Sequence, residues 1–182
     1  MGTSTTFLMR DTRTTALGVV GFSVALAAAS QVAIPIPGTP VPMTLQPLVV
    51  VLAGLWLGPV AGATSMALYL AAGMAGLPVF APMGAPGFAR LLGPTGGYLW
   101  AYPVAAFVAG LVAAKRRDFA FRVLAAAAGI AVIHLGGFLQ LLALTGSAEQ
   151  AIALGATPFV PLDLLKVLTA AALSPKTPRA TA

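Results

Sequence analysis

The stretch "IPIPGTPVPMTLQP", residues 34–47, packs five prolines into fourteen residues and carries no charge. Each internal proline removes a backbone donor and clashes with the preceding turn, so no helix passes through it. A loop in water would show charges or clusters of Ser, Asn and Asp. Apolar runs lie on both sides of it. A stiff, uncharged, extended connector between two apolar runs suits the boundary of a membrane.

The composition agrees. Of 182 residues, 59% are hydrophobic and 8% charged, and the mean hydropathy is +0.96. A soluble domain carries about 25% charged residues, so this chain cannot cover itself with a charged surface. Glycine (20) and proline (15) are abundant, as both are in membrane helices, where small residues let backbones approach. There is no cysteine, which excludes disulfides, thiolate metal sites and thiol catalysis.

A spanning helix needs roughly 20 mostly apolar residues. Six stretches qualify or come close: 15–34, 45–57, 61–76, 97–114, 120–145 and 150–173. The expected fold is all-α: a polytopic membrane protein with six transmembrane helices in one domain over 1–182. Segment 1–14 is then a cytoplasmic N-terminal segment, 15–173 the bundle and 174–182 a cytoplasmic tail. The second and third stretches are short and separated only by "LGPVAG"; a five-span reading would merge them.

The net charge of +6 fits this topology. With the N-terminus inside, Arg10, Arg13, Lys115, Arg116, Arg117, Arg122, Lys176 and Arg179 all fall on the inner side. Arg90 alone falls outside, and Lys166 lies within a span. That is the asymmetry of the positive-inside rule, with both termini cytoplasmic. The basic residues are topology signals, and nucleic acid is excluded as a partner. The start "MGTSTT" fits an N-myristoylation pattern, to which a chain that already spans gives little weight. The first apolar run reads as a retained helix rather than a signal peptide, because everything downstream is membrane as well.

Gly21, Ala25, Ala29 and Ala33 recur every four residues, a ridge on which another helix can pack closely, in a partner or in this bundle. Gly54, Gly58 and Gly62 form a second ridge, expected to pack internally. On the outer face, the proline stretch lies beside "LPVFAPMGAPGFARLLGPTGG", residues 77–97, uncharged apart from Arg90. Two such loops can fold over a cavity without burying charge. Pro37, Gly38, Pro40 and Pro42 are the expected lid, with Gly38 as its hinge because it alone is free of the φ restriction.

Asp163 and Lys166 sit in the last span, in "PFVPLDLLK". An ionisable side chain at the centre of a membrane costs roughly 2.5 to 3.5 kcal/mol on the insertion scale. Three residues apart, the two share a helix face. They either form a self-contained ion pair or hold a ligand. A buried pair seldom offsets its own desolvation, which favours the site. Pro158 and Pro161 bend the helix just before them. His134, without a second His or any Cys, builds no metal site and is expected to bond a carbonyl or a neighbouring helix. Gln31 and Gln46 flank the proline loop, each within reach of a cavity beneath it. "LLGPTGGYLWAY", residues 91–102, exposes the N–H groups of Gly96 and Gly97 at a helix start, an anion site with Arg90 nearby. Tyr98 and Trp100 in it also suit interfacial anchors. There is no GxxxxGK[ST], GxSxG or HExxH, so neither ATPase nor hydrolase chemistry is expected and the chain is read as a non-enzyme.

Taken in order, "IPIPGTPVPMTLQPLVVVLAGLWLGPVAGA", "YLAAGMAGLPVF", "GPTGGYL" and "PFVPLDLLK" resemble the BioY family, the biotin-specific substrate-binding (S) components of energy-coupling factor transporters. One departure is Leu162, where the family usually has Gly before the Asp. The resemblance implies a six-helix, multi-pass protein of the bacterial plasma membrane that binds biotin with high affinity. Its implied partners are a transmembrane coupling subunit and two cytoplasmic ATPases, with Gly21, Ala25 and Ala29 on the coupling contact. Biotin is then the transported ligand and no cofactor is expected. Asp163 would accept from the urea N–H groups and Lys166 would donate to the urea oxygen. Phe80, Tyr98 and Phe159 would wall the apolar body, with Gln46 near the lid. Arg90, Gly96 and Gly97 would meet the carboxylate, though the reverse orientation, with the carboxylate on Lys166, is chemically open. Competing readings are a proton-coupled carrier of a small carboxylate with Asp163 as relay, an S component for another vitamin, and a scaffold subunit that binds no small molecule.

Overall fold

A computed structural model of the chain describes residues 12–116 and 118–175. The elements are α1 (Thr12–Gln31), β1 (Ala33–Ile34), β2 (Met43–Thr44), α2 (Gln46–Leu57), α3 (Pro59–Met74), α4 (Ala89–Leu92), α5 (Gly96–Ala113), α6 (Phe119–Thr145), α7 (Ala148–Gly155) and α8 (Val160–Leu173). Arg10, Arg117, Lys176, Arg179 and the "MGTSTT" start lie outside the described residues.

The proline stretch is a hairpin. β1 and β2 pair antiparallel, with Ala33 opposite Thr44 and Ile34 opposite Met43. Pro35, Pro37, Pro40 and Pro42 all lie between the paired positions, so the ladder loses no donor to them. The turn uses Gly38 at φ +86°, a conformation that disfavours any side chain. This two-residue ladder is the exception to an otherwise helical chain.

α2 and α3 meet at Gly58, which ends one helix and begins the next at φ +84°. Gly58 N–H donates to the Gly54 carbonyl at 2.9 Å, and Gly62 N–H to the Gly58 carbonyl at 3.0 Å. The Gly54/Gly62 ridge packs internally: a Cβ at Gly54 would strike the Ala106 carbonyl, and one at Gly62 would meet the backbone of Ala53 and Gly54. α5 and α6 also meet through glycine, Gly97 lying against Gly136 and Gly137 against the Tyr98 ring. Where lipid gives no hydrophobic drive between helices, such backbone approach supplies the packing.

The last apolar stretch is not one helix, as the 150–173 reading had it. α7 and α8 are bent by 55° at the break between them. Pro158 has no N–H to offer the Leu154 carbonyl, and Pro161 none for Thr157, so two rungs of a continuous helix are missing at this point. α1, α5 and α6 are each long and apolar enough to cross a membrane, and the bent α7–α8 pair meets the same test only when taken together as one broken span; α2 and α3 are apolar but shorter. The chain is a multi-pass membrane protein.

The two ends of the bundle differ. At one end lie Lys115, Arg116 and Arg122; Arg122 Nη1 donates to the Ser174 carbonyl at 2.8 Å, tying α6 to the end of α8. At the other end lie the hairpin, the 77–95 loop and α7. On α1, Gly21 and Ala25 are exposed and Ala29 half-buried, and nothing lies within 4 Å of a Cβ built at Gly21. At Gly21 and Ala25 the small-residue ridge is exposed.

Candidate ligand-binding site

A cavity lies under the hairpin, between the 77–95 loop and the helices α5, α6 and α8. It encloses about 630 Å³ of space not filled by atoms, the solvent at its open side included. Phe80, Tyr98, Leu99, Tyr102, Ile133 and Phe159 give it apolar walls. Its polar groups include Thr44, Gln46, Arg90, Thr95, His134, Asp163 and Lys166.

The charged wall is built on α8. Asp163 and Lys166 are 6% and 7% exposed, and Lys166 Nζ donates to Asp163 Oδ1 at 2.9 Å. The expected pair therefore forms, but it has a third member. His134 Nε2, from α6, lies 2.5 Å from Asp163 Oδ2, and its Nδ1 faces the Gly155 carbonyl at 3.3 Å. Tyr98 Oη donates to the same carbonyl at 2.7 Å. That carbonyl is available because the helix breaks: the Phe159 N–H that would reach it bonds Ala156 instead. Lys166 keeps further N–H donors, and each carboxylate oxygen keeps a lone pair. The wall can thus both give and accept hydrogen bonds.

The opposite wall is held by α2 and α3. Gln46 Nε2 donates to Tyr69 Oη at 2.8 Å, and Thr44 Oγ1 lies 3.2 Å from Gln46 Oε1. Tyr69 meets the Phe80 ring edge-on at 5.4 Å, and Gly73 leaves space for that ring. Ser30 Oγ donates to the Val79 carbonyl at 2.6 Å and Gln31 Nε2 to the Phe80 carbonyl at 3.2 Å. Gln31 thus braces the loop; of the two flanking glutamines, only Gln46 lines the cavity.

Arg90 lines the cavity and is 6% exposed. Its Nη1 and Nη2 donate to the carbonyls of Met83 and Ala81, so it staples its own loop. Desolvation lowers its pKa from the ordinary guanidinium value, with the nearby Tyr69 acting the other way. Gly96 and Gly97 do not line the cavity. Gly96 fits against the Leu91 backbone and Gly97 against Gly136 and Gln140. From the same turn, Thr95 and Tyr98 are the residues that face inward. Gln140 pins this loop from α6, donating to the Leu92 carbonyl at 3.1 Å. Of the hairpin residues, Val41, Pro42 and Thr44 line the cavity, while Pro37, Gly38 and Pro40 are exposed. Thr39 Oγ1 donates to the Leu154 carbonyl at 2.6 Å, fastening the hairpin tip to α7. His134 bonds both a carbonyl and a neighbouring helix, as expected, and its place beside Asp163 on the cavity wall is what sequence reasoning missed. Its signal was that it is the one ionisable side chain in α6 beyond the first turn.

The family model for BioY matches residues 3–182. The chain belongs to the BioY family. The biotin transporter BioY of Thermotoga maritima is 40% identical over 141 residues, covering 78% of this chain and 83% of that one. A probable biotin transporter BioY of Pyrococcus horikoshii is 44% identical over 131 residues, covering 72% and 76%. The crystal structure at 2.1 Å of the S-component for biotin from an ECF-type ABC transporter superposes with a TM-score of 0.79, at 25% identity and 87% coverage of each chain. The resemblance carried by the proline stretch and "PFVPLDLLK" is thus a BioY family membership, and both motifs border the cavity of this BioY chain.

Proposed function

We propose that this chain is the biotin-binding S component of an ATP-driven uptake system in a bacterial plasma membrane. The observation that carries the reading is the Lys166–Asp163–His134 cluster at the wall of an aromatic-lined cavity. Biotin's cyclic urea offers two N–H donors and one carbonyl acceptor. Asp163 accepts from the donors, and a free Lys166 N–H meets the carbonyl. Phe80, Tyr98 and Phe159 surround the bicycle and chain. The carboxylate points to Arg90, which has N–H groups left beyond the two that hold its loop. Gln46 and Val41 close the side under the hairpin, and residues 34–47 act as the lid.

In this reading six helical segments cross the membrane, with α7–α8 as one bent crossing and both termini in the cytoplasm. The chain brings no motor, so a transmembrane coupling subunit and two ATPases supply the energy. The ridge of Gly21, Ala25 and Ala29 on α1, exposed at its first two residues, is where the coupling subunit packs.

Binding of labelled biotin to the purified protein tests the proposal, with desthiobiotin, lipoate, thiamine and riboflavin as competitors. Saturable binding displaced by biotin and not by thiamine or riboflavin is expected. Retention of another vitamin in place of biotin overturns the substrate. Uptake in cells that collapses with a protonophore while ATP is held constant overturns the energy source.

A further inference from the structure

Two consecutive carbonyls at the end of α7 join the hairpin to the cavity. Leu154 would bond residue 158 in a continuous helix, but Pro158 has no N–H, and Thr39 Oγ1 takes that carbonyl at 2.6 Å. The next carbonyl, Gly155, takes Tyr98 Oη at 2.7 Å and faces His134 Nδ1 at 3.3 Å. The turn that presents them is firm, because the N–H groups of Ala156 and Thr157 both bond the Ile152 carbonyl. The other edge of the His134 ring touches Asp163. A single rigid imidazole therefore spans from the cavity carboxylate to the peptide beside the hairpin's latch.

We propose that His134 is a positioning residue that makes capture of ligand at Asp163 and closure of the hairpin over it one cooperative event. The proposal rests on the biotin-binding reading above. A ligand donor that engages Asp163 fixes the carboxylate, the ring turns with it, and the Leu154–Gly155 peptides are held where Thr39 latches. The ring must be held at both edges. If it served only to hold α8, the Asp163 bond alone would suffice.

Two substitutions separate these roles. In His134→Asn the amide stands where Nδ1 was and keeps the Gly155 bond; in His134→Gln it reaches the place of Nε2 and keeps the Asp163 bond. The chain has no cysteine, so Pro40→Cys gives a single exposed label site at the hairpin tip. In the otherwise wild-type protein, biotin is expected to immobilise a spin label there. In both histidine variants the label is expected to stay mobile at saturating biotin. Thr39→Val, which removes the latch hydroxyl and with it the bond that hydroxyl accepts from the Val41 N–H at 3.1 Å, is expected to speed biotin release about tenfold or more. Combined with either histidine variant, it should add less than a further twofold, the mark of coupled rather than independent sites.

Immobilisation in either single-ended variant overturns the proposal, as do fully multiplicative effects on release. Should both variants fail to saturate, Thr39→Val decides alone. The chain has one histidine, so its imidazole nitrogen resonances need no assignment. A shift of these on loss of the latch supports coupling, and an unchanged spectrum overturns it. Wild-type protein that binds no biotin overturns both readings; wild-type protein that binds with no label response overturns this one alone.

Discussion

Replacing Asp163 by Asn removes one charge and almost no volume. Lys166 Nζ sits 2.9 Å from Asp163 Oδ1 with both groups buried, so the substitution strands a buried ammonium. Breaking such a pair from one side costs about 3–5 kcal/mol. The Asn oxygen still faces Lys166, which puts the expected loss near about 3 kcal/mol. Binding suffers separately. A hydrogen bond to a charged acceptor contributes about 1.5–3 kcal/mol and a neutral one about 0.5–1.5, so affinity for biotin should fall about tenfold. Thermal unfolding in detergent and equilibrium binding of labelled biotin read the two effects independently. Adding Lys166→Met removes the stranded charge. The double variant should recover most of the lost stability and none of the affinity. Wild-type binding by folded Asp163→Asn would refute the reasoning for the site, and a double variant no more stable than the single would refute the reasoning for the ion pair.

Gly137→Val should lower both stability and affinity, because its Cβ would enter the Tyr98 ring that bonds the Gly155 carbonyl; a unfolding midpoint equal to wild type counts against that contact. Arg90→Met frees the carbonyls of Ala81 and Met83, and faster proteolysis or hydrogen exchange across residues 81–90, with weaker biotin binding, is expected. Ala25→Trp should leave biotin binding unchanged and abolish energised uptake, since Ala25 is exposed here; equal loss of both would place the residue inside the bundle's own packing, and retained uptake would turn it to lipid.

Much of this arrangement is written in local sequence. Prolines marked an extended connector between the first two helices and a bend in the last span, and the spacing of Asp163 and Lys166 put them on one face; Gly58, read as part of a packing ridge, is instead the turn between α2 and α3, with nothing within 4 Å of a Cβ built there. Those signals are local because proline and glycine act on their own turn of backbone. What failed to show was what depends on contact between distant segments. His134 and Asp163 are 29 residues apart and meet only because α6 packs on α8. Gly96 and Gly97 read as a helix start with open N–H groups, yet their missing side chains serve close approach to α4 and α6. Arg90 read as a free cation on the outer side, and most of its reach goes to its own loop. Composition alone could not separate these uses, since a glycine or an arginine looks the same in either.

The α2–α3 pair has a consequence for the surrounding lipid. α2 has 12 residues and α3 has 16, about 18 and 24 Å of helix, against a hydrocarbon core of about 30 Å. The turn at Gly58 has its backbone groups bonded within the pair and needs no water to satisfy them. α1 and α6, at 20 and 27 residues, reach about 30 and 40 Å. α2 has no exposed residue and α3 has an exposed face, and α1 packs on both, so lipid meets the pair along α3. A helix of about 24 Å in a core of about 30 Å is accommodated by local thinning or by tilt, so bilayer thickness becomes a variable that bears on how α3 stands.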